Sequence, residues 1–207
     1  MKKRRKKQLI SRGFAASLPS ILEIESCTRC NIHPPCVMCY PRLFDKRGFS
    51  GDICDAAVQK LLPYMRGFKT ISLHGVGEPL LGKKLLALLD KTDPDKTWVQ
   101  FDSNGLLLTE EMSRILISKK LNMIDFSLDA ATRETYRKIR RSDFDLVIGN
   151  IKRLSMMKQA SGVSRPKIKV NMTLMRENAA EIVAFVDLAG ELGAEIIHLG
   201  LLNPTKD

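Results

Sequence analysis

The chain has 207 residues, of which 44% are hydrophobic and 28% charged, the balance of a globular protein with one substantial core. No apolar stretch approaches the ~20 residues that a membrane span requires, so we expect no membrane-spanning segment. The net charge of +11 is concentrated near the N-terminus. Residues 2–7 and Arg12 supply seven positive charges before the first acid, Glu23, and the remaining chain carries only +4.

The basic segment at residues 1–17 is predicted to be a disordered arm, because blocks of like charge repel one another and stay open. Contact with RNA or with an acidic partner is the alternative. The sequence after the first lysines lacks the apolar core of roughly 7–15 residues that a secretory signal contains, so we expect a cytoplasmic protein. In that compartment, five cysteines with four of them at 27–39 favour metal binding over disulfides.

Residues 18–207 are predicted to form one domain in which strands alternate with helices. Six runs rich in β-branched residues are the predicted strands, at 20–26, 70–76, 98–104, 123–129, 167–174 and 195–202. The alternation implies parallel strands joined by right-handed crossovers, in an open sheet or a barrel. Because an eight-unit barrel needs ~250 residues, we predict an α/β fold, a partial (β/α)6 TIM-like barrel with outer helices. No helix follows the sixth strand, so we expect the barrel to be truncated there and the chain to belong to a longer protein.

Three helix boundaries carry recognisable signals. The helix that starts at Thr109 has two glutamates in its first turn and two lysines in its last, which complements the helix dipole at both ends. Asn178 and Glu181 are spaced as a capping box, and Gly193 is placed to end that helix. Asp52 is predicted to cap the helix that follows it.

Polar and glycine-rich residues gather where the predicted strands end. The first strand runs into the cysteines, and later strands end in HGVGEP, DSNG, SLDA and GLLNP. Sites in parallel α/β folds form at the carboxyl ends of strands, so we expect a sizeable ligand across the barrel mouth. His74 and His198 also end strands, and we interpret them as hydrogen-bonded core residues rather than ligands.

The cysteine loop, CTRCNIHPPCVMCY at 27–40, permits two kinds of metal site. Two C-x2-C pairs would suit a tetrahedral zinc ion. Alternatively, Cys30, Cys36 and Cys39 would bind three irons of a 4Fe–4S cube and leave the fourth iron open to a small molecule. Zinc ribbons usually separate their pairs by more residues, which favours the second grouping.

The loop resembles the signature of the radical S-adenosylmethionine (radical SAM) superfamily, in which C-N, a short spacer and C-x-x-C precede an aromatic residue. CN at 30–31 and CVMCY at 36–40 match those pieces. The spacer has five residues where three are usual, and Cys27 falls where the family usually has a polar residue, so we leave Cys27 unligated. The resemblance implies a 4Fe–4S cluster held by Cys30, Cys36 and Cys39.

GVGEP at 75–79 resembles the G-G-E-P turn of the same family, with Val76 in place of the first glycine. Such a turn would expose backbone carbonyls and the Glu78 carboxylate to a ligand's ammonium group, and a proline fixes its exit. A nucleotide-binding G-x-G-x-x-G loop does not fit, because Leu80 stands at the third glycine. The resemblance implies S-adenosylmethionine (SAM) contacts along the turn, at Gly75, Val76, Gly77, Glu78 and Pro79.

SNG at 103–105 and SLDA at 127–130 resemble the family's third and fourth strand ends, which contact the methionine carboxylate and ribose of SAM. The resemblance therefore implies contacts from Ser103, Asn104, Ser127 and Asp129. Ser127 and Asp129 are two apart on a predicted strand, so both would face the barrel interior. The alternatives are an ordinary Asn-Gly turn at 104–105 and a helix cap at Asp129.

Two further residues are predicted to reach the carboxylate or ribose of SAM, Asn171 on the fifth strand and Arg140 in YRKIRR. A solvated helix face is the alternative explanation of Arg140.

The resemblance implies an enzyme in which a reduced cluster cleaves SAM to methionine and a 5′-deoxyadenosyl radical, which removes hydrogen from a substrate. A one-electron donor such as a flavodoxin or ferredoxin is then expected. GEPLL and FSLDAAT most resemble the branch with a C-terminal SPASM-type iron–sulfur extension, many of whose members modify peptides or proteins. The competing hypothesis is a non-catalytic domain, stapled by zinc or a cluster, that docks RNA through its arm.

Overall fold

The computed structural model describes residues 19–39 and 51–202, so the predicted arm at 1–17 lies outside the described residues. Within these two ranges, six parallel strands form one sheet in chain order. They are β1 (Ile21–Glu23), β2 (Thr70–Ser72), β3 (Trp98–Ser103), β4 (Met123–Ser127), β5 (Lys167–Leu174) and β6 (Ile196–Leu201). The predicted partial TIM-like barrel is thereby confirmed.

Helices connect the strands and lie against one face of the sheet. They are α1 (Asp55–Leu61), α2 (Leu85–Leu89), α3 (Glu110–Ser118), α4 (Arg133–Arg140), α5 (Phe144–Ala160) and α6 (Ile182–Glu191). Short 3-10 turns lie at Met65–Gly67, Pro79–Leu81 and Ala179–Glu181. Within the described ranges, no helix has the length and apolar character needed to cross a membrane.

The core lies between the sheet and these helices. Alternate strand residues supply it and are at most 1% exposed, among them Val99, Phe101, Ile124, Phe126, Ile168, Val170 and Met172. The alternation of side chains along a strand sends the intervening residues to the other face, which is the inside of the barrel. Those residues are largely polar, so the sequence pattern separates a packed outer layer from a polar interior.

Two of the predicted helix signals are confirmed. Thr109 Oγ1 accepts a hydrogen bond from Met112 N at 3.1 Å at the start of α3. Gly193 has a φ of +67° just beyond α6, the left-handed conformation that commonly ends a helix. The prediction for Asp52 is wrong, because α1 begins after Cys54 without a side-chain cap. Asp52 instead pairs with Arg29 at 3.2 Å, since a guanidinium is a stronger partner than a backbone amide.

The predicted capping box is also wrong. Asn178 Nδ2 donates to the carbonyl oxygens of Asp129 and Thr173, both at 2.8 Å. The Glu181 carboxylate accepts from the backbone amides of Ala131 and Thr132, at 2.7 and 3.1 Å. Both side chains thus fix the loop after β4 to the segment after β5, and a 3-10 turn takes the place of the predicted first helical turn.

Candidate active site at the carboxyl ends of the strands

The cysteine loop leaves the carboxyl end of β1, and none of the chain's five cysteines, all of which are described, forms a disulfide. Burial raises the pKa of the Cys30 thiol, and the nearby charges of Glu78 and Cys36 act in the same direction. Two side-chain hydrogen-bond donors point at the sulfurs of Cys30 and Cys36. Asn104 Nδ2 lies 3.8 Å from Cys30 Sγ, and Arg140 Nη1 lies 3.8 Å from Cys36 Sγ.

This donor set fits a 4Fe–4S cluster. Cys30, Cys36 and Cys39 share one loop, and hydrogen bonds to sulfur of the kind seen here tune iron–sulfur clusters. Thiolates that each bind a different iron need not converge on one point. Among the described residues, no three His, Cys, Asp or Glu side chains converge to hold a single metal ion.

Cys27 occupies a separate environment. It is buried, its Sγ donates to Arg29 O at 3.8 Å, and its backbone forms an isolated antiparallel bridge with Asp52. A Cβ on Gly82 would lie 3.1 Å from Cys27 Cβ, so that side of the residue is packed as well. Cys27 therefore packs the start of the loop against Asp52 and Gly82, and the grouping of the other three cysteines stays a prediction.

The turn at 75–79 packs directly on the cysteine loop. Glu78 N donates to Arg29 O at 2.7 Å. A Cβ on Gly77 would lie only 2.1 Å from Cys27 O and 2.8 Å from Arg29 O, so glycine is required by the close approach of two backbones. The turn therefore helps to fix the shape of the loop.

Replacing Gly77 with alanine is expected to displace the cysteine loop and lower the iron content of the reconstituted protein severalfold. Gly149→Ala is the matched control, since a Cβ on Gly149 meets nothing within 4 Å. Gly149 lies inside α5, where alanine is favoured over glycine by about 1 kcal/mol, so this variant should gain stability and keep its iron. Iron analysis and denaturant unfolding measure the two effects, and normal iron content in Gly77→Ala would contradict the packing argument.

Glu25 is a site residue that the motifs did not identify. Its Oε1 accepts from Val76 N at 2.6 Å and from Gly77 N at 3.3 Å. A Cβ on Gly75 would lie within 2.4 Å of the Glu25 side chain, so the carboxylate fills the hollow of the turn. A signal was present in SILEIES, where glutamates alternate with apolar residues in a strand that should be buried.

The Glu78 carboxylate is buried, and the prediction that the turn exposes it is wrong. Only 2% of Glu78 is exposed. Oε1 accepts from Leu80 N at 3.1 Å and Ser103 Oγ at 2.8 Å, and Oε2 accepts from Asn104 N at 2.7 Å. These bonds use three of the about four acceptor positions of a carboxylate, so Glu78 chiefly joins the turn to the end of β3. Pro79 begins the 3-10 turn and is buried.

Asn104 joins β3 to the cysteine loop. Its Nδ2 donates to Asn31 Oδ1 at 2.7 Å in addition to its contact with Cys30. The ordinary turn interpretation also holds at this position, because Gly105 has a φ of +78°. The two interpretations are compatible, since the turn aims the Asn104 amide at the loop.

The structure separates Ser127 from Asp129. β4 ends at Ser127, and Asp129 has a φ of +62°, so the alternation from which a shared face was predicted does not extend to Asp129. Asp129 is fully buried, and its Oδ1 accepts from Thr173 N at 2.6 Å. The helix-cap alternative is wrong too, because Thr132 caps α4.

Arg140 lies beneath the cysteine loop, so the solvated-face alternative is wrong. Its side chain is 13% exposed and forms an ion pair with Asp129. Cys36 Sγ donates to Arg140 O at 3.6 Å, and Val37 N donates to Ile139 O at 3.0 Å. The last turn of α4 therefore anchors the middle of the loop.

Asn171 and the two histidines line the inside of the barrel. Asn171 is the register partner of Ser127, and its Oδ1 lies 2.8 Å from His198 Nδ1. His74 Nδ1 lies 2.9 Å from Asp102 Oδ2. His198 is exposed and His74 half-buried, so the interpretation of both as core residues is wrong, because the sheet face they occupy is not covered by helices.

The sequence of residues 24–189 matches the model of the radical SAM superfamily. The match covers most of the chain, which therefore belongs to the radical SAM superfamily.

Sequence relatives within the superfamily are named probable GTP 3′,8-cyclases. One from Saccharolobus islandicus (strain Y.N.15.51 / Yellowstone #2) is 30% identical over 181 residues, which cover 84% of this chain and 54% of the relative. One from strain M.14.25 / Kamchatka #1 is 33% identical over 140 residues, 67% of this chain and 43% of the relative. One from Methanocaldococcus jannaschii is 31% identical over 143 residues, which cover 68% of this chain and 45% of the relative. The chain spans about half the length of these relatives.

Solved structures share the fold at low sequence identity. Streptococcus suis SuiB bound to S-adenosylmethionine has a TM-score of 0.73 at 17% identity, over 98% of this chain and 45% of SuiB. Native anSMEcpe with bound AdoMet has a TM-score of 0.64 at 19% identity, over 89% of this chain and 52% of anSMEcpe. Methylornithine synthase (PylB) has a TM-score of 0.65 at 12% identity, over 97% and 58%.

Proposed function

We propose that this protein reductively cleaves SAM and uses the resulting 5′-deoxyadenosyl radical to remove hydrogen from a substrate. A 4Fe–4S cluster held by Cys30, Cys36 and Cys39 would supply the electron and bind the amine and carboxylate of SAM. The observation that carries the proposal is the cysteine loop, in a chain that matches the superfamily. Asn104 and Arg140, which follow two other strands, support it by donating toward the sulfurs of Cys30 and Cys36.

The chain's own residues would divide the work between binding and positioning. Ser127 and Asn171 are register partners at the barrel mouth, and both are only half-buried, so their polar groups suit direct contact with SAM. Glu78 and Asp129 are committed to internal hydrogen bonds and would act by positioning their neighbours. The remaining proposed SAM contacts are Gly75, Val76, Gly77, Pro79, Ser103, Asn104 and Arg140.

A nucleotide is proposed as the substrate class in preference to a peptide or protein. The sequence relatives at 30% identity or above are named for a reaction of GTP. The support for a peptide is weaker, because SuiB, which has been solved with a precursor peptide, shares the fold at 17% identity. Because the sequence relatives are named for a reaction of GTP, they also weaken the resemblance to the SPASM-type branch.

The proposed partners follow from the chemistry. Cleavage of SAM requires one electron, so a flavodoxin or ferredoxin is the proposed donor. Cysteines without disulfides suit a reducing compartment, which supports a cytoplasmic location. Contact of the arm at 1–17 with RNA stays a prediction that rests on charge alone.

The direct test is product formation. The protein would be reconstituted anaerobically with iron and sulfide, reduced with dithionite and mixed with SAM, and 5′-deoxyadenosine would be measured by mass spectrometry. We expect the nucleoside to form only with dithionite present. Cys54→Ala, which removes an exposed thiol outside the cysteine loop, is the matched control and should retain activity. A reducible iron–sulfur protein that forms no nucleoside would contradict the proposal.

A further inference from the structure

Four charged or titratable side chains form an ordered row inside the barrel, which we call the polar layer: His74, Asp102, Asp125 and Lys169. Asp102 and Asp125 are register partners on β3 and β4, and Asp125 and Lys169 are register partners on β4 and β5. Register partners project from the same face of a sheet. His74, two residues after the end of β2, extends the row, because its Nδ1 lies 2.9 Å from Asp102 Oδ2.

The polar layer lies just below the mouth of the barrel. Ser127 and Asn171, the proposed SAM contacts, follow Asp125 and Lys169 by two residues on the same strands. Two residues correspond to a rise of ~7 Å along a strand. A molecule that reaches from the SAM site into the barrel would therefore meet the polar layer next.

Together with the adjoining Glu23, the polar layer presents more negative than positive charge. The carboxylates of Asp102 and Asp125 face one another across a strand spacing, and Glu23 Oε1 lies 3.9 Å from His74 Nε2. Lys169 Nζ, 2.5 Å from Asp125 Oδ2, is the one permanent cation of the layer. A phosphate placed here would meet like charge, whereas a group that donates N–H bonds would be attracted.

Asp125 shows where such a donor is missing. The residue is only 8% exposed, and its Oδ1 has no hydrogen-bond partner in residues 19–39 and 51–202. Burial raises the pKa of this carboxyl, and the charge of Asp102 acts in the same direction. Buried carboxylate oxygens without a donor are costly and uncommon in folded proteins, so the free Oδ1 indicates a place for a ligand's donor.

We propose that the polar layer binds the part of the substrate that carries N–H donors, with Asp125 Oδ1 as the principal acceptor. The chemistry fits a protonated amine or the amino–imino edge of a guanine-type base. The inference rests on the proposed function in one respect, since it takes the occupant to be the molecule that loses hydrogen. A water molecule on Oδ1 is the competing occupant.

Calorimetric titration of the whole reconstituted chain with guanosine, inosine and 1,4-diaminobutane tests the proposal. We expect guanosine or diaminobutane to bind. Asp125→Asn should lower the affinity for that probe about tenfold or more, because a charged acceptor is lost. Lys169→Met removes the donor on Oδ2 and leaves that oxygen as a second acceptor, so the same probe should bind more tightly. Since a damaged fold cannot improve affinity, this second variant separates recognition from misfolding. Asp187→Asn, exposed on α6, is the matched control and should bind as the parent does.

Guanosine binding with much weaker inosine binding would identify a base edge that uses its 2-amino group, and diaminobutane binding would identify an amine. Binding of neither probe, or equal binding in Asp125→Asn, would overturn the inference in favour of water. Calorimetry does not depend on SAM cleavage. A chain that binds a probe but forms no 5′-deoxyadenosine would refute the proposed function alone, and the reverse result would refute the polar layer alone.

Discussion

Alanine at Cys30, Cys36 or Cys39 is expected to remove the iron–sulfur cluster and abolish 5′-deoxyadenosine formation, whereas alanine at Cys27 preserves both. Each of the three thiolates would bind a different iron, so no remaining cysteine of the set can replace the missing one. Cys27 is 2% exposed, and its backbone is bridged to Asp52, so we expect it to pack the start of the loop without binding iron.

Iron and acid-labile sulfide analysis of the four variants, with visible absorbance, measures this difference. The parent and Cys27→Ala should hold about four irons per chain, and the other three variants less than about one. Cys27→Ala removes a small buried group, so a loss of about 1 kcal/mol in the free energy of unfolding is compatible with the assignment. If Cys27→Ala lost its iron as completely as Cys36→Ala, the three-cysteine grouping would be wrong.

The order of the strands was predictable because it depends on a pattern repeated along the chain. Short apolar runs alternating with amphipathic helices permit few topologies once crossovers are right-handed. The helix that starts at Thr109 was predictable for a similar reason, since its cap and first-turn acids are local. The arrangement of the cysteines was also visible, because their spacing and their position after a strand are properties of the sequence alone.

The errors share a physical cause. Asp52, Asn178 and Glu181 each had a suitable local role, and each bonds instead to a residue more distant along the chain. Asp129 was assigned to a strand face, but its left-handed backbone and its pairing with Arg140 depend on the docking of α4. Local propensity is a weak preference that tertiary partners override, and such partners are not visible in a window of a few residues.

The polar layer was within reach of sequence analysis. Asp125 and Lys169 each stand between two of the apolar residues that alternate along their strands, and Asp102 directly follows one in β3. In a parallel sheet covered by helices on one face, such residues must face the inside of the barrel. The sequence does not reveal that Asp125 Oδ2 pairs with Lys169 while Oδ1 has no donor, because that pairing depends on the register of β4 and β5.

Replacing Arg140 with methionine is expected to lower the free energy of unfolding by about 3–5 kcal/mol. Asp129 is completely buried and would lose its cationic partner. Asp129→Asn in the same chain should restore part of that loss, because it removes the uncompensated charge. Arg137→Met, on an exposed position of the same helix, is the matched control and should change stability by less than about 0.5 kcal/mol. Denaturant unfolding of the two single variants and the double variant measures the coupling.

The same substitution also separates a positioning role of Arg140 from a purely structural one. Arg140 Nη1 points at Cys36 Sγ, so the guanidinium places a positive charge and a donor beside a proposed cluster ligand. Removal of both disfavours the added electron, and the reduction potential of the reconstituted protein should become more negative in Arg140→Met. Asp129→Asn should shift the potential less, because the guanidinium remains beside the sulfur. An unchanged potential in Arg140→Met, measured by redox titration of a variant that keeps its iron, would limit Arg140 to holding α4 and the cysteine loop together.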